Sequence, residues 1–251
     1  MPIKPGLQTI HLGIGFDSMR FWIILFLFGI GFSCRKSMEA EMGLSKPLDA
    51  PKDSVAISWL ALGDSYTIGQ GVNAQDRFPF QALELLKGKL VQSRRLTYLA
   101  KTGWTSADLI RSMGEQNLEG HNFISLLIGV NDQYQGVDTA TYRENFTKIL
   151  NRSIELAGGD QRRVWVLSIP DYSLTPVGRQ LDTGKISQEI DGFNAINKRI
   201  ALQRKCIYVD ITELGRASKN NPAWVCQDGL HPSALAYSKW AELIYANFLS
   251  F

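Results

Sequence analysis

A chain of 251 residues with 45% hydrophobic and 20% charged content holds enough apolar material for one sizeable core plus appendages. Its net charge is only +3, and its Lys and Arg are interleaved with acids, as in Arg143 beside Glu144, so no nucleic-acid partner is expected.

The amino-terminal segment differs in kind from the rest. Residues 21–32 are apolar apart from Gly29 and Gly31, with Arg20 before them and Ser33 and Cys34 after. That order matches the charged region, short apolar region and small-residue cleavage site of a secretory signal. A bilayer-spanning helix takes about 20 apolar residues, more than this run supplies. Cys34 resembles the lipidated cysteine of bacterial lipoproteins, although Gly31 and Phe32 replace the aliphatic and small residues usual before it. Met19 followed by Arg20 offers an alternative start. The expectation is a signal segment over 1–33, a flexible lipid-anchored tether over 34–54 and a folded domain over 55–251. The protein would then be exported to a bacterial cell envelope and held at the membrane through Cys34. Cleaved soluble secretion and an uncleaved anchor are the alternatives.

From residue 55 the sequence alternates. Runs at 55–62, 96–100, 123–128, 163–169 and 206–211 are rich in Val, Ile, Leu and aromatics, as strands buried on both faces are. Between them lie helical patterns at 80–91, 106–116, 141–156 and 187–203, with a last one at 233–248. Thr105 or Ser106 suits the cap of the second helix, Gly158-Gly159 stops the third, and Pro232 suits the first turn of the last. Leu235, Trp240, Leu243 and Ile244 form an apolar stripe on that last helix, expected to face the core. Strand and helix in alternation predict a five-stranded parallel sheet with helices on both sides.

The residues that carry chemistry fall where these strands end, which is where such sheets bind ligands. Gly63-Asp64-Ser65-Tyr66 follows the first strand, Gly103 the second, Gly129-Val130-Asn131-Asp132 the third and Asp171-Tyr172 the fourth. Asp228-Gly229-Leu230-His231-Pro232 precedes the last helix. A serine at a Gly-flanked strand end is exposed and constrained, and an Asp three residues before a His can hold the imidazole by its second nitrogen. Together they supply nucleophile, base and orienting acid. A hydroxyl is a poor nucleophile near neutral pH without a base in hydrogen-bond reach, and imidazole titrates in the useful range. Plainer readings exist for each: Ser65 as a helix cap, Asn131-Asp132 as an Asx turn, and Asp228 with His231 as a surface turn. Asp64 and Asp132 read as loop supports.

In order and placement, Gly63-Asp64-Ser65, Gly103, Gly129-Val130-Asn131-Asp132 and Asp228-Gly229-Leu230-His231-Pro232 resemble the four blocks of the SGNH hydrolases, also called the GDSL esterase and lipase family. The resemblance spans 55 to the carboxyl end. It implies a three-layer α/β/α flavodoxin-like fold and ester hydrolysis through an acyl-enzyme. Carried over, Ser65 is the nucleophile, His231 the general base and Asp228 its orienting acid. The oxyanion hole is formed by the Ser65 and Gly103 backbone N–H groups and the Asn131 side chain. No Gly-x-Ser-x-Gly elbow surrounds Ser65, which sets the chain apart from ordinary α/β-hydrolases.

No cofactor is implied. His11, His121 and His231 lack the spacing of metal ligands, so no metal site is expected. Cys206 and Cys226 read as two free thiols, with an inter-loop disulfide as the alternative in an exported protein. Tyr134 and Tyr172 are candidates for lining the substrate site, as a stacking surface or an acyl-pocket wall. The expected substrate is a small-molecule or glycan ester, with short acyl groups on carbohydrate first and a lysophospholipid or other lipid ester second. Acyl transfer by the same triad, or glycan binding without catalysis, are the rival functions.

Overall fold

The computed structural model describes residues 55–87 and 91–249; the signal segment, Cys34 and the tether lie outside them. Five strands, β1 (Val55–Gly63), β2 (Val91–Ala100), β3 (Phe123–Leu127), β4 (Val164–Leu167) and β5 (Ile207–Val209), form one parallel sheet in the order β2-β1-β3-β4-β5. The central strands are apolar runs interrupted only by Ser58 and Ser125, because helices cover both faces. Trp59, Leu60, Leu62, Ile124, Leu126, Val164 and Val166 are all fully buried. The one indole N–H this buries on β1 is satisfied within the sheet, Trp59 Nε1 donating to Ser125 Oγ at 2.9 Å.

Helices α1 (Ser65–Ile68) and α2 (Phe78–Leu86) connect β1 to β2, and α3 (Ser106–Glu115) connects β2 to β3. The chain continues through α4 (Val130–Tyr134), α5 (Thr139–Leu156), α6 (Thr183–Gln203), α7 (Thr212–Arg216) and α8 (Ala234–Leu249). One layer pairs α2 with α8; the other packs α5 between α3 and α6. The result is a three-layer α/β/α fold. Its chain direction across the sheet reverses between β1 and β3, so the loops after those two strands diverge and leave a crevice.

Several boundaries differ from the sequence expectation. The pattern at 80–91 stops at Leu86, and Val91 already belongs to β2, a strand at the sheet edge that pairs β1 alone. Its polar residues Gln92 to Arg95 obscure the strand signal, since an edge strand need not be apolar throughout. Helices α5 and α6 start earlier than their apolar periodicity, at caps. Asp138 accepts from the Ala140 and Thr141 N–H groups, and Asp182 from Lys185 N–H. Thr105 caps α3 in a full capping box with Asp108, as expected. On α8 the buried stripe is Tyr237, Trp240, Ala241 and Ile244, while Leu235 and Leu243 are exposed at 48% and 37%, correcting half of the expected stripe. Cys206 and Cys226 are both free.

Candidate active site

At the end of β1 the backbone has no room for a side chain. A Cβ on Gly63 would lie 2.2 Å from the Leu127 carbonyl oxygen of β3 and 2.2 Å from Thr67 Oγ1, so only glycine lets α1 start this close to the sheet. Asp64 then caps α1, its Oδ1 accepting from Tyr66 N–H at 2.9 Å. Ser65 is the first residue of α1, where backbone N–H groups have no intrahelical partner, and its side chain lines the cleft.

The second piece is the loop before α8. His231 Nδ1 faces Asp228 Oδ2 at 2.6 Å, and Asp228 Oδ1 accepts from the Leu230 and His231 N–H groups at 2.9 and 3.0 Å. With Nδ1 donating to a carboxylate, the other ring nitrogen, Nε2, carries the free lone pair. Burial alone pushes the Asp228 carboxyl up, but the two N–H donors and the imidazole outweigh it, and its pKa lies below the ordinary value. The loop is held in shape by the Val225–Pro232 bridge, by Cys226 N–H on the His231 carbonyl at 2.7 Å, and by Val177 N–H on the Gly229 carbonyl at 3.0 Å. The Tyr66 ring packs against the imidazole at 5.7 Å between centroids.

The amide donors come from β2 and β3. Gly103 has a φ of +83°, a left-handed conformation, and a Cβ built on it meets no atom within 4 Å. Its glycine is therefore required by the backbone and not by protein packing. Asn131 lies in the first turn of α4 and donates one N–H of its side-chain amide to the Trp104 carbonyl at 2.9 Å. That bond fixes the amide plane and leaves the second N–H for a ligand. Asp132 behind it is a support, accepting from the Ser106 N–H at 2.8 Å and from the Ser106 hydroxyl, which ties α4 to α3. Asp64 is likewise a support. It is 1% exposed, its Oδ2 has no partner, and burial, with a contribution from Asp132, pushes its pKa up to about 7.

Ser65, Gly103, Asn131 and His231 line one cleft of about 380 Å³. Tyr134 and Tyr172 line it too, in different ways. Tyr134 stands at the rim, 68% exposed, whereas Tyr172 is 5% exposed with its hydroxyl donating to Gln133 Oε1 at 3.0 Å. Burial pushes the Tyr172 pKa up to about 12. Leu230, inside the Asp228–Pro232 motif, forms an apolar wall with Val177 and Leu181, which the motifs do not announce. Their only sequence signal is position, in long loops following a strand end. The 170–182 loop is anchored by buried Asp171, which accepts from Ser173 N–H at 2.8 Å, from the Ser187 hydroxyl and from Arg216 Nε at 2.9 Å.

A carboxylate-held imidazole, a serine and convergent amide donors at the crevice of a parallel sheet suit acyl chemistry, and place the molecule among the hydrolases of three-layer α/β fold. Residues 61–239, more than half of the chain, match the family model described as GDSL-like lipase/acylhydrolase. The chain belongs to that family. Solved structures share the fold. A lipase/acylhydrolase from Enterococcus faecalis is 18% identical with a TM-score of 0.62, covering 77% of this chain and 96% of its own. A GDSL-like lipase from Parabacteroides merdae is 20% identical with a TM-score of 0.63, covering 78% and 98%. Axe2, an acetylxylan esterase from Geobacillus stearothermophilus, is 19% identical with a TM-score of 0.58, covering 80% and 95%. Among curated proteins, none matches the chain by sequence.

Proposed function

We propose that the protein is a serine esterase that hydrolyses carboxylic esters through an acyl-enzyme on Ser65. The observation that carries this reading is the 2.6 Å pairing of His231 Nδ1 with Asp228 on a cleft shared with Ser65, Gly103 and Asn131. Ser65 Oγ attacks the ester carbonyl while His231 Nε2 takes its proton. The oxyanion accepts from the Ser65 and Gly103 N–H groups and the free N–H of Asn131. Collapse expels the alcohol, which leaves with the proton from Nε2. Water then repeats the sequence on the acyl-enzyme and frees the acid, restoring Ser65. Asp228 keeps the ring in the productive tautomer and stabilises the imidazolium.

The substrate of this proposal is a short acyl ester of a carbohydrate or cell-envelope glycan. An exposed tyrosine at the rim of an open cleft is suited to stacking on a sugar, and solved structures of the same fold include acetylxylan esterases. A lipid ester is the second reading, favoured by Val177, Leu181 and Leu230 in the cleft wall. Export and anchoring through Cys34 belong to the same proposal and rest on the pattern of residues 20–34.

Aryl esters of increasing acyl length, given to wild type and Ser65→Ala, test the reaction. Activity that survives in Ser65→Ala rejects it, as does failure of Ser65 to react with a fluorophosphonate. Acid release measured with and without a sugar acceptor separates hydrolysis from acyl transfer. Mass analysis of the mature amino terminus tests the anchor.

A further inference from the structure

Most arginines whose side chains are described are engaged. Arg111, Arg152, Arg162, Arg163 and Arg216 pair with carboxylates; Arg95 meets His121; Arg77 lies over the Tyr98 ring; Arg179 donates to the Leu174 carbonyl. Among the arginines whose side chains are described, Arg143, Arg199 and Arg204 are the three whose side chains make no hydrogen bond, ion pair or ring contact; Arg77 has its ring contact. The same three line one groove of about 410 Å³ between α5 and α6, together with Thr147, Ile200 and Gln203. Glu144, the carboxylate next to Arg143 in the chain, makes no ion pair with any of them. Lys148 and Lys205, both exposed and unpaired, add further positive charge close by in the sequence.

Three guanidinium groups line one concavity, and among the described residues no carboxylate pairs with any of them. Guanidinium is a planar, permanently charged fork that matches the oxygens of a phosphate in pairs, and three such forks match a ligand with more than one anionic oxygen pair. The groove is large enough for a small ligand or a head group. Its position separates it from catalysis. Gln203 and Arg204 lie where α6 ends just before β5, toward the amino edge of the sheet, whereas the catalytic cleft opens at the carboxyl edge. No residue lines both.

We infer that the α5–α6 groove is a second binding site, for a phosphate-bearing polyanion, with Arg143, Arg199 and Arg204 as its ligands. Occupying it leaves the esterase cleft open. The phosphates come either from the head groups of an anionic membrane or from a soluble phosphorylated molecule, and the two sources separate by experiment. A screened electrostatic site also weakens as salt rises.

The full-length protein is mixed with phosphatidylglycerol vesicles, with phosphatidylcholine vesicles and, separately, with soluble inositol hexakisphosphate, at low and at physiological salt. Wild type is expected to prefer phosphatidylglycerol over phosphatidylcholine by at least about tenfold, or to bind the soluble phosphate, with either binding weakened by salt. The combined Arg143→Glu, Arg199→Glu and Arg204→Glu variant is expected to lose that binding while its Ser65 still reacts with a fluorophosphonate. Should the triple variant fail to fold, the single Arg→Gln changes are each expected to weaken binding several-fold. Vesicle binding alone assigns the site to a membrane surface, and binding of the soluble probe as well assigns it to free phosphates. No binding to any phosphate probe, or equal binding by wild type and the folded variants, overturns the inference.

Discussion

Replacing Asn131 by alanine isolates the amide that the oxyanion would meet. Its side chain makes one bond within the protein, to the Trp104 carbonyl at 2.9 Å, and its second N–H has no partner outside the cleft. Losing one partly buried hydrogen bond costs about 1 kcal/mol of folding stability, which for a domain of this size is a melting-point drop of roughly 2–4 °C. Losing an oxyanion donor is larger, about 100- to 1000-fold in kcat, or roughly 3–4 kcal/mol of transition-state stabilisation. The two effects separate because a protein still folded at assay temperature cannot lose that much turnover through stability. Steady-state kinetics on a short aryl ester, alongside a thermal melt, should show kcat falling two to three orders of magnitude with KM changed little. If kcat stays within about threefold of wild type while the melt shifts as expected, Asn131 is a structural residue and the oxyanion assignment is wrong.

Three other substitutions probe the same frame. Gly103→Ala meets no atom within 4 Å but must hold φ at +83°, so it should cost about 1–2 kcal/mol in urea unfolding and a larger factor in kcat, because the N–H it carries is displaced. Asp228→Asn keeps the shape of the loop but removes the charge facing His231 Nδ1, and should lower kcat by about 1000-fold or more, measured as burst and steady-state rates on the same ester. Asp64→Asn tests buried charge. The carboxyl loses its proton near pH 7 instead of near 4, so folding favours the protonated form. That stability is present at low pH and disappears as pH rises toward 7, by roughly 4 kcal/mol at most. The asparagine variant should therefore gain on wild type in urea melts between pH 5 and pH 8, and parallel curves would show that Asp64 is not buried as a neutral acid.

How much of this was legible in the sequence depended on whether a residue's role was local. Strands β1, β3 and β4 are largely buried on both faces, so burial writes itself into the sequence as runs of Val, Ile, Leu and Trp broken only by Ser58 and Ser125 among polar residues. The pieces of the site that sit next to those strands, Ser65 and Asn131, inherit their visibility, and Gly103 follows the apolar carboxyl half of β2. Asp228 and His231 are three residues apart, and their contact is a property of one turn. The edge strand β2 was legible only at its carboxyl half, because its amino half answers to one neighbour and tolerates Gln92 and Arg94. The starts of α5 and α6 were placed late because Asp138 and Asp182 act through capping, which precedes the first apolar position. Val177 was legible only as part of the loop after β4, and Leu181 not at all. They reach the cleft because Asp171 and Arg216, 45 residues apart, lock the intervening loop, and nothing periodic marks such a contact.

That distribution has a consequence for how the molecule works. The residues proposed to break the ester bond stand on the sheet's most constrained points, where Gly63 admits no side chain and where the His231 loop is bridged on both sides of Asp228. The cleft wall stands on the loops after β3 and β4, where Tyr134 and Leu181 are 68% and 47% exposed and bear no structural load from above. A change at Tyr134 or Leu181 can therefore alter which ester fits without disturbing the pairing of Asp228 with His231. A change at Asp171 cannot be so contained. Arg216 would keep Asp191 and Glu213 as partners, but the 170–182 loop would lose the three bonds that Asp171 accepts and be held by Val177 N–H on Gly229 and the Tyr172 hydroxyl on Gln133. In the proposed esterase, ester choice therefore falls to exposed side chains, with that of Leu181 on a loop that buried Asp171 helps to hold.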